Sequence, residues 1–241
     1  MFSESAEVYD LIYLSFKKYK EEADLLAALL RRLNPACRTV LDVACGTGEH
    51  MRHLTTDHGF RVDGLDLDRR LLDIAARKNP GSRFWEADMA AFALPERYDA
   101  VVCLFSSIGY VRTLDAVERT LRCFRRHLND GGVIVVEPWF PPGRLDPSRV
   151  TRNEAETNGL RIERTSRVEV DGQLSRLRFD YTLTDATGVR TATEVHELGL
   201  FTSDEMLAAF AAAGLHAEYD EAGLAGRGLY TARFRSANCM K

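Results

Sequence analysis

A turn of small residues, Ala44-Cys45-Gly46-Thr47-Gly48, follows the apolar run Val40-Leu41-Asp42-Val43. Val40, Leu41 and Val43 read as a short buried strand. The segment after Gly48 carries Met51 and Leu54 on one apolar side and reads as a helix. A strand, a glycine turn and a helix form the front half of a nucleotide-binding α/β unit. That unit restricts the fold strongly and leaves open which nucleotide it serves.

Two phosphate-binding readings are disfavoured by the residues around the turn. A dinucleotide site needs a third glycine so that helix and strand approach closely around a pyrophosphate; Met51 stands there. A phosphate-binding loop needs Gly-Lys-Ser/Thr, but Gly48 is followed by Glu49, whose carboxylate repels a phosphate. Asp42, inside the strand, suits a ligand head that is cationic or donates hydrogen bonds. Asp66 closes the next expected strand, 18 positions after Gly48. A carboxylate there can accept both hydroxyls of a ribose. Asp88 closes the third strand, where it can accept from an adenine amino group, with Leu67 and Met89 placed to sandwich the ring. Each acid alone also reads as a helix N-cap or a solvated loop residue. Three acids at three successive strand ends point to an adenosine without phosphates.

The rest of the chain extends this pattern. Residues 5–33 read as helical, with Tyr9 and Tyr13 four apart on one face. Strands are expected at 39–44, 60–66, 83–86, 98–104 and 133–137, and helices at 48–57, 68–78 and 114–128. Asn129-Asp130-Gly131-Gly132 reads as a turn. Near-continuous apolar strands such as Ala100-Val101-Val102-Cys103-Leu104 and Val133-Ile134-Val135-Val136, alternating with helices, predict a parallel sheet covered on both faces. After Trp139 the texture changes: Pro141, Pro142, Gly143 and Pro147 precede period-two segments at 150–156, 160–170, 174–184 and 189–199. These read as an inserted antiparallel sheet, with Asp171-Gly172 as a hairpin signal. Thr202-Ser203-Asp204-Glu205 opens a helix ending near Gly214, and 215–221 and 228–235 close the chain as strands.

The 241 residues carry a net charge of −4, which argues against nucleic acid as the main partner. The first ten residues lack the apolar core of a leader peptide, and no apolar run reaches the ~18 residues of a membrane span. Five cysteines without a Cys-x-x-Cys pair read as free thiols in a cytoplasmic setting. His50 and His53 lie three apart on one helix, but no third ligand is obvious; solvated helix residues and no metal are expected. Arg161, Arg164, Arg167, Arg176 and Arg178 alternate with acids, as on a solvated sheet face with one or two phosphate contacts.

Asp42-Val43-Ala44-Cys45-Gly46-Thr47-Gly48, Asp66 and Asp88-Met89 resemble the cofactor motifs of class I S-adenosylmethionine-dependent methyltransferases. The resemblance implies an α/β, Rossmann-like seven-stranded sheet with S-adenosylmethionine across the strand ends. A narrower resemblance rests on Val8-Tyr9-Asp10-Leu11, Phe105-Ser106-Ser107-Ile108-Gly109-Tyr110, Val136-Glu137-Pro138-Trp139 and Gly226-Arg227-Gly228-Leu229. These look like the dTDP-aminosugar N,N-dimethyltransferases of macrolide biosynthesis. That family implies a small-molecule acceptor amine and an inserted antiparallel sheet that roofs the site and supports a homodimer. The chain then divides into a core, 1–140 with 200–241, and an insert, 141–199. One departure concerns the acceptor side: the family pattern of two tryptophans and Phe-Pro-Glu is replaced by Trp139-Phe140-Pro141-Pro142-Gly143. The family's extra substrate-facing tyrosine near the N-terminus has at most Phe2 in its place.

The resemblance and the strand-end positions together assign roles. Expected cofactor contacts are Tyr9, Tyr13, Asp42, Ala44, Gly46, Gly48, Asp66, Leu67, Asp88, Met89 and Leu104. Expected acceptor contacts are Phe105, Ser106, Trp139 and Arg227, the last suited to a phosphate. Tyr110 and Glu137 are the candidate catalytic residues: Tyr110 to orient the amine, Glu137 to attract it or to accept a sugar hydroxyl. A different small acceptor, such as a heterocycle, an amino acid or a phenol methylated at nitrogen or oxygen, is the alternative.

Overall fold

The computed structural model describes residues 6–234; Phe2 and Cys239 lie outside the described residues. Helices α1 (Ala6–Leu14) and α2 (Tyr19–Leu33) lead into β1 (Thr39–Val43), α3 (Glu49–Thr56), β2 (Arg61–Asp66), α4 (Arg69–Lys78), β3 (Phe84–Glu86) and β4 (Tyr98–Cys103). A 3-10 turn, Ser107–Val111, precedes α5 (Leu114–Arg126) and β5 (Leu128–Val136). Then come β6 (Thr151–Thr157), β7 (Leu160–Asp171), β8 (Leu174–Asp185) and β9 (Gly188–Gly199). Helix α6 (Ser203–Ala212), β10 (His216–Asp220) and β11 (Leu229–Arg233) complete the described chain.

Seven strands form one sheet in the order β10-β11-β5-β4-β1-β2-β3, with β1 to β5 parallel and β11 antiparallel to β5. The alternation of side chains along each strand builds two apolar layers. Val40, Val62, Val102 and Val133 pack on Leu26 and Leu30 of α2 and Met51 and Leu54 of α3. Leu41, Leu65, Val101 and Ile134 pack on Leu121 and Phe124 of α5 and Phe210 of α6. Burial on both faces is why these strands read as apolar throughout. The strand order reverses direction between β1 and β4. In an open α/β sheet, that switch point opens a crevice beyond the carboxyl ends of the strands.

The helix starts are set by local chemistry. Asp68 caps α4 by accepting the Arg70 N–H at 2.9 Å. Thr202 and Glu205 form a reciprocal capping box at α6. Gly214 follows α6 with φ +73, as a left-handed helix exit requires.

The second sheet is antiparallel, β6-β7-β8-β9, and lies between β5 and α6 in sequence. Helix α1 bridges the two sheets. Val8 and Ile12 pack on Ile162, Phe179 and Tyr181 of the antiparallel sheet. Tyr9 and Tyr13 turn toward Tyr19 and Phe105.

Two expectations need correction. Residues 129–132 are not a free turn but part of β5. The register with β4 jumps from Tyr98↔Leu128 to Ala100↔Val133, so the extra residues bulge out of the strand. Gly131, at φ +73, donates its N–H to the Phe234 carbonyl at 3.0 Å, and this tie to the end of β11 keeps the segment in the sheet. Nor is His50 solvated: it is 8% exposed, and its Nε2 lies 2.9 Å from Glu22 Oε2. The cause is α2, which packs across α3 and covers this face. His53 sits 2.8 Å from the Asp57 carboxylate. Among the described residues no group of His, Cys, Asp and Glu is arranged to hold a metal. Cys37, Cys45, Cys103 and Cys123 are free thiols. No described helix is long and apolar enough to cross a membrane.

Candidate active site

The carboxyl ends of β1 to β4 open into a cavity of about 760 Å³. That is within the range of about 300–1,000 Å³ usual for small-molecule sites. One wall is the glycine turn and the ends of β2 and β3: Ala44, Gly46, Asp66, Leu67, Asp88 and Met89. The opposite wall is the 3-10 turn with Tyr110 and the strand β9 with His196. Tyr9 of α1 closes it from above. A narrower extension continues behind Tyr9, Ala44 and Gly46, lined by Asp42, Tyr19, Thr47, Leu104 and Phe105.

Asp66 organises the first wall. Its Oδ2 accepts the Gly46 N–H at 2.8 Å and its Oδ1 accepts the Asp68 N–H at 2.9 Å. The end of β2 thereby holds the turn after β1. Ala44 and Gly46 both take left-handed backbone conformations, φ +58 and +57. A Cβ placed on Gly46 would meet nothing within 4 Å, so its backbone faces open space. This is a cradle in which a ligand lies directly on the main chain. Asp88 Oδ1 accepts the Ala90 N–H at 2.8 Å and fixes the loop that carries Met89.

Asp42 is the electrostatic anomaly of the site. Burial, and then the charge of Asp66, push its carboxyl up to about 8. A buried acid with a raised pKa beside a cavity fits a ligand that brings a positive charge or hydrogen-bond donors. The donor set therefore fits S-adenosylmethionine. Asp66 and Asp88 would hold the ribose and adenine, and Leu67 and Met89 the faces of the ring. Gly46 and Ala44 would back the sulfonium, and Asp42 would face the ammonium in the narrow extension.

Other expected residues lie around the cavity rather than in it. Gly48 caps α3 at φ +75, where a Cβ would come within 2.6 Å of Asn79 Nδ2. Tyr13 packs edge-on against Phe105, and the Arg164 guanidinium lies 4.9 Å from its ring centre. The Glu137 carboxylate is buried and accepts the Phe105 N–H at 2.6 Å. Ser106 Oγ donates to the Pro138 carbonyl at 2.7 Å. Phe105 and Ser106 are both left-handed, φ +52 and +64, and these two bonds stabilise that backbone. Trp139 turns to the antiparallel sheet, its Nε1 donating to Ser175 Oγ at 2.9 Å. Arg227 Nη1 donates to Ser106 Oγ at 3.4 Å, with its guanidinium 4.9 Å from the Phe105 ring centre.

Several residues of the site were not singled out from the sequence. Tyr19 and Thr47 line the narrow extension. His196 lies beside Tyr110 on the same wall of the main cavity, its Nδ1 3.1 Å from Tyr110 Oη. Its signal was the period-two pattern of β9, in which His196 and Leu198 share the inward face. The insert is also less uniformly solvated than expected. Arg161, Arg167 and Arg178 pair with surface acids, but Arg164 is 5% exposed.

Comparison with known proteins places the chain among methyltransferases. A methyltransferase domain family matches residues 40–132. The chain is 40% identical over 230 residues to dTDP-3-amino-3,6-dideoxy-alpha-D-glucopyranose N,N-dimethyltransferase of Streptomyces fradiae, covering 95% of this chain and 90% of that one. Its structure is similar to the crystal structure of Streptomyces venezuelae DesVI, with a TM-score of 0.89 and 39% identity over 94% of this chain and 97% of the other. It is also similar to S-adenosylmethionine-bound CalS10, an amino pentose methyltransferase from Micromonospora echinaspora involved in calicheamicin biosynthesis. There the TM-score is 0.82 at 35% identity, over 91% of this chain and 92% of that one.

Proposed function

The chain belongs to the S-adenosylmethionine-dependent methyltransferase family that includes the dTDP-aminosugar N,N-dimethyltransferases, and on that premise we propose that it methylates the amino group of a dTDP-linked aminodeoxyhexose. The observation that carries the reading is the pairing of two walls. Strand-end carboxylates that suit an adenosine stand opposite a tyrosine hydroxyl that suits an amine. S-adenosylmethionine supplies an electrophilic methyl group on a sulfonium centre. The protein's part is largely to position the acceptor, because in-line displacement at such a centre gains most from proximity and orientation.

Tyr110 Oη faces the cavity and is the hydroxyl best placed to hold the acceptor nitrogen. Tyr9 covers the cradle and keeps bulk water off the reacting atoms. Glu137 acts at one remove, by fixing the Phe105–Ser106 backbone between the two cavities. Beside that loop lies a cationic cluster for the diphosphate: Arg227 over Phe105, and Arg164 within 4.6 Å of the Phe179 ring centre. Arg164 is 5% exposed and its Nη2 donates to Asn153 Oδ1 at 2.9 Å. Guanidinium groups suit diphosphates by geometry as well as charge.

We place the reaction in the cytoplasm, as a tailoring step of antibiotic aminosugar assembly, carried out by a homodimer joined through the antiparallel sheet. The free thiols and the exposed Val170, Val189 and Val195 of that sheet support this. Incubation with methyl-labelled S-adenosylmethionine and dTDP-3-amino-dideoxyhexoses tests the main reading. Label on the sugar nitrogen, read by mass spectrometry, is expected. Transfer to a heterocycle, amino acid or phenol, with none to any aminosugar, would overturn it. Sedimentation at micromolar concentration reads the dimer.

A further inference from the structure

The cavity wall opposite the adenosine cradle holds an array of buried polar groups. Tyr110 Oη lies 3.1 Å from His196 Nδ1, within hydrogen-bond distance. His196 is 2% exposed and lines the cavity, and its Nε2 lies 3.6 Å from Glu194 Oε2. Tyr181 Oη in turn donates to the same Glu194 oxygen at 3.3 Å. Hydroxyl, imidazole and carboxylate thus stand in line from the cavity inward. In the tautomer that lets the tyrosine donate to Nδ1, the imidazole's own proton is on Nε2, on the side of the carboxylate. At 3.6 Å the carboxylate acts on the imidazole through its charge rather than through a hydrogen bond.

Packing holds the array in place. The 3-10 turn presses against β9 because position 109 is glycine. A Cβ there would stand 3.1 Å from both Leu198 Cδ2 and Trp139 Cβ. Phe179 of β8 packs on the His196 ring at 5.2 Å between centres. Charged groups face His196 from several elements. Glu194 lies on its own strand, and Asp66 of β2 stands across the cavity. Arg176 of β8 and Glu197 of β9, in the same cavity, pair with each other at 3.0 Å. Arg164 of β7 lies on the far side of Phe179. Asp68, Asp88, Arg112 and Arg119 also line this cavity, with Arg112 Nη1 3.1 Å from Glu197 Oε2, and the hydroxyls of Tyr110, Tyr181 and Tyr13 complete the surroundings.

We infer that His196, backed by Glu194, is the proton acceptor for the sugar ammonium, reached through the Tyr110 hydroxyl. An amine attacks carbon only through a free lone pair, and an aminosugar arrives mostly as the ammonium. Burial, and then the nearby Tyr13 and Asp66, raise the Tyr110 hydroxyl well above its ordinary range. Tyr110 therefore does not serve as a standing phenolate base. It passes a proton on instead. The ammonium N–H transfers its proton to Tyr110 Oη as the Tyr110 proton moves to His196 Nδ1. The products of this step are a neutral amine, a neutral tyrosine and an imidazolium facing Glu194. After methyl transfer and product release, the imidazolium returns its proton to water through the cavity. His196 is thus a positioning and relay residue that acts through Tyr110.

The inference rests on the aminosugar reading, and one experiment separates the two. The kcat of wild-type protein, His196→Asn and Glu194→Gln is measured from pH 6 to 9 with saturating dTDP-3-amino-dideoxyhexose, alongside calorimetric affinity for S-adenosylmethionine. His196→Asn is expected to lower kcat near neutral pH by about 100-fold, the low end of general base contributions. Its acid limb moves to higher pH, while KM and cofactor affinity stay within about threefold. Glu194→Gln, which keeps shape and hydrogen bonding, shifts the acid limb in the same direction by less. An active wild type whose His196→Asn and Glu194→Gln variants keep its kcat and acid limb overturns the relay alone. So does an equal loss at every pH in both variants, which marks a structural role. A wild type that methylates no aminosugar overturns the functional reading and the relay with it.

Discussion

Thr47 Oγ1 donates a hydrogen bond to Asp10 Oδ1 at 2.5 Å and fastens helix α1 onto the glycine turn after β1. Lys78 of α4 forms an ion pair with the same Asp10, and its Nζ also reaches Glu49 Oε1 at 2.9 Å. Three elements therefore meet on one carboxylate, and Tyr9, beside it in the chain, is held over the cavity. The aliphatic contacts of α1, from Val8 and Ile12, are to the antiparallel sheet. Asp10 is the polar pin that closes α1 over the cofactor wall.

Removing that pin loosens the cover more than the core. Asp10→Ala is expected to weaken S-adenosylmethionine binding by about tenfold, corresponding to about 1.4 kcal/mol, within the range for a charge-assisted hydrogen bond. Isothermal titration calorimetry reads the affinity. The thermal midpoint should fall by only a few degrees, because the two large apolar layers do not involve α1.

Asp42 makes stability depend on pH. Its folded pKa is raised to about 8, chiefly by burial, whereas an unfolded aspartate titrates near 4. Folding therefore takes up a proton between about pH 4 and pH 8. The contribution is full below pH 4 and is lost as pH rises through that window, at up to about 1.4 kcal/mol per pH unit. Urea unfolding at pH 6, 7 and 8 should show this slope in wild-type protein and a shallower one in Asp42→Asn.

Gly48→Ala tests the turn. The position has φ +75, and a Cβ would approach Asn79 Nδ2 to 2.6 Å and Ala75 Cβ to 3.1 Å. Asn79 Nδ2 donates to the Gly48 carbonyl at 3.2 Å, so moving it breaks the bond that ties α3 to α4. A loss of about 1–3 kcal/mol is expected from the backbone strain alone. Thermal denaturation reads it. Gly46→Ala, with open space around its Cβ, should lose less stability and more cofactor affinity.

Arg227→Ala separates a sugar-nucleotide acceptor from an uncharged one. Its guanidinium packs on Phe105 and Phe140 beside the acceptor side of the site. With a dTDP-aminosugar, KM should rise about tenfold, as for a lost charge-assisted contact, while kcat changes little. Steady-state kinetics across acceptor concentrations distinguishes this from a loss in kcat, which would place Arg227 at the reacting centre.

Much of the cofactor side was legible in the chain because it depends on local order. A strand end is followed by its loop, so Asp42, Gly46, Asp66 and Asp88 fall at the mouth of a parallel sheet wherever its strands are read correctly. The class of fold, the antiparallel insert and the α6 capping box follow from periodicity and turn chemistry in the same way. The errors arose where a distant element decides the surroundings. His50 looked solvated because nothing in α3 announces that α2 covers it. Residues 129–132 looked like a turn because the pairing of Gly131 with Phe234 crosses more than a hundred positions.

The acceptor side depended still more on tertiary contact. The sequence by itself determined that strands and helices alternate and that three acids stand at successive strand ends, since those positions repeat with the period of the backbone. It also placed Glu137 at the end of a strand and Tyr110, Trp139 and Arg227 in loops after strands. Only the tertiary structure decided that Tyr110 meets His196, that Glu137 turns inward to hold Phe105, and that Trp139 is committed to Ser175. Those choices are made by the packing of β8 and β9 against the 3-10 turn. Such packing brings together residues up to 86 positions apart, and no local spacing in the chain encodes them.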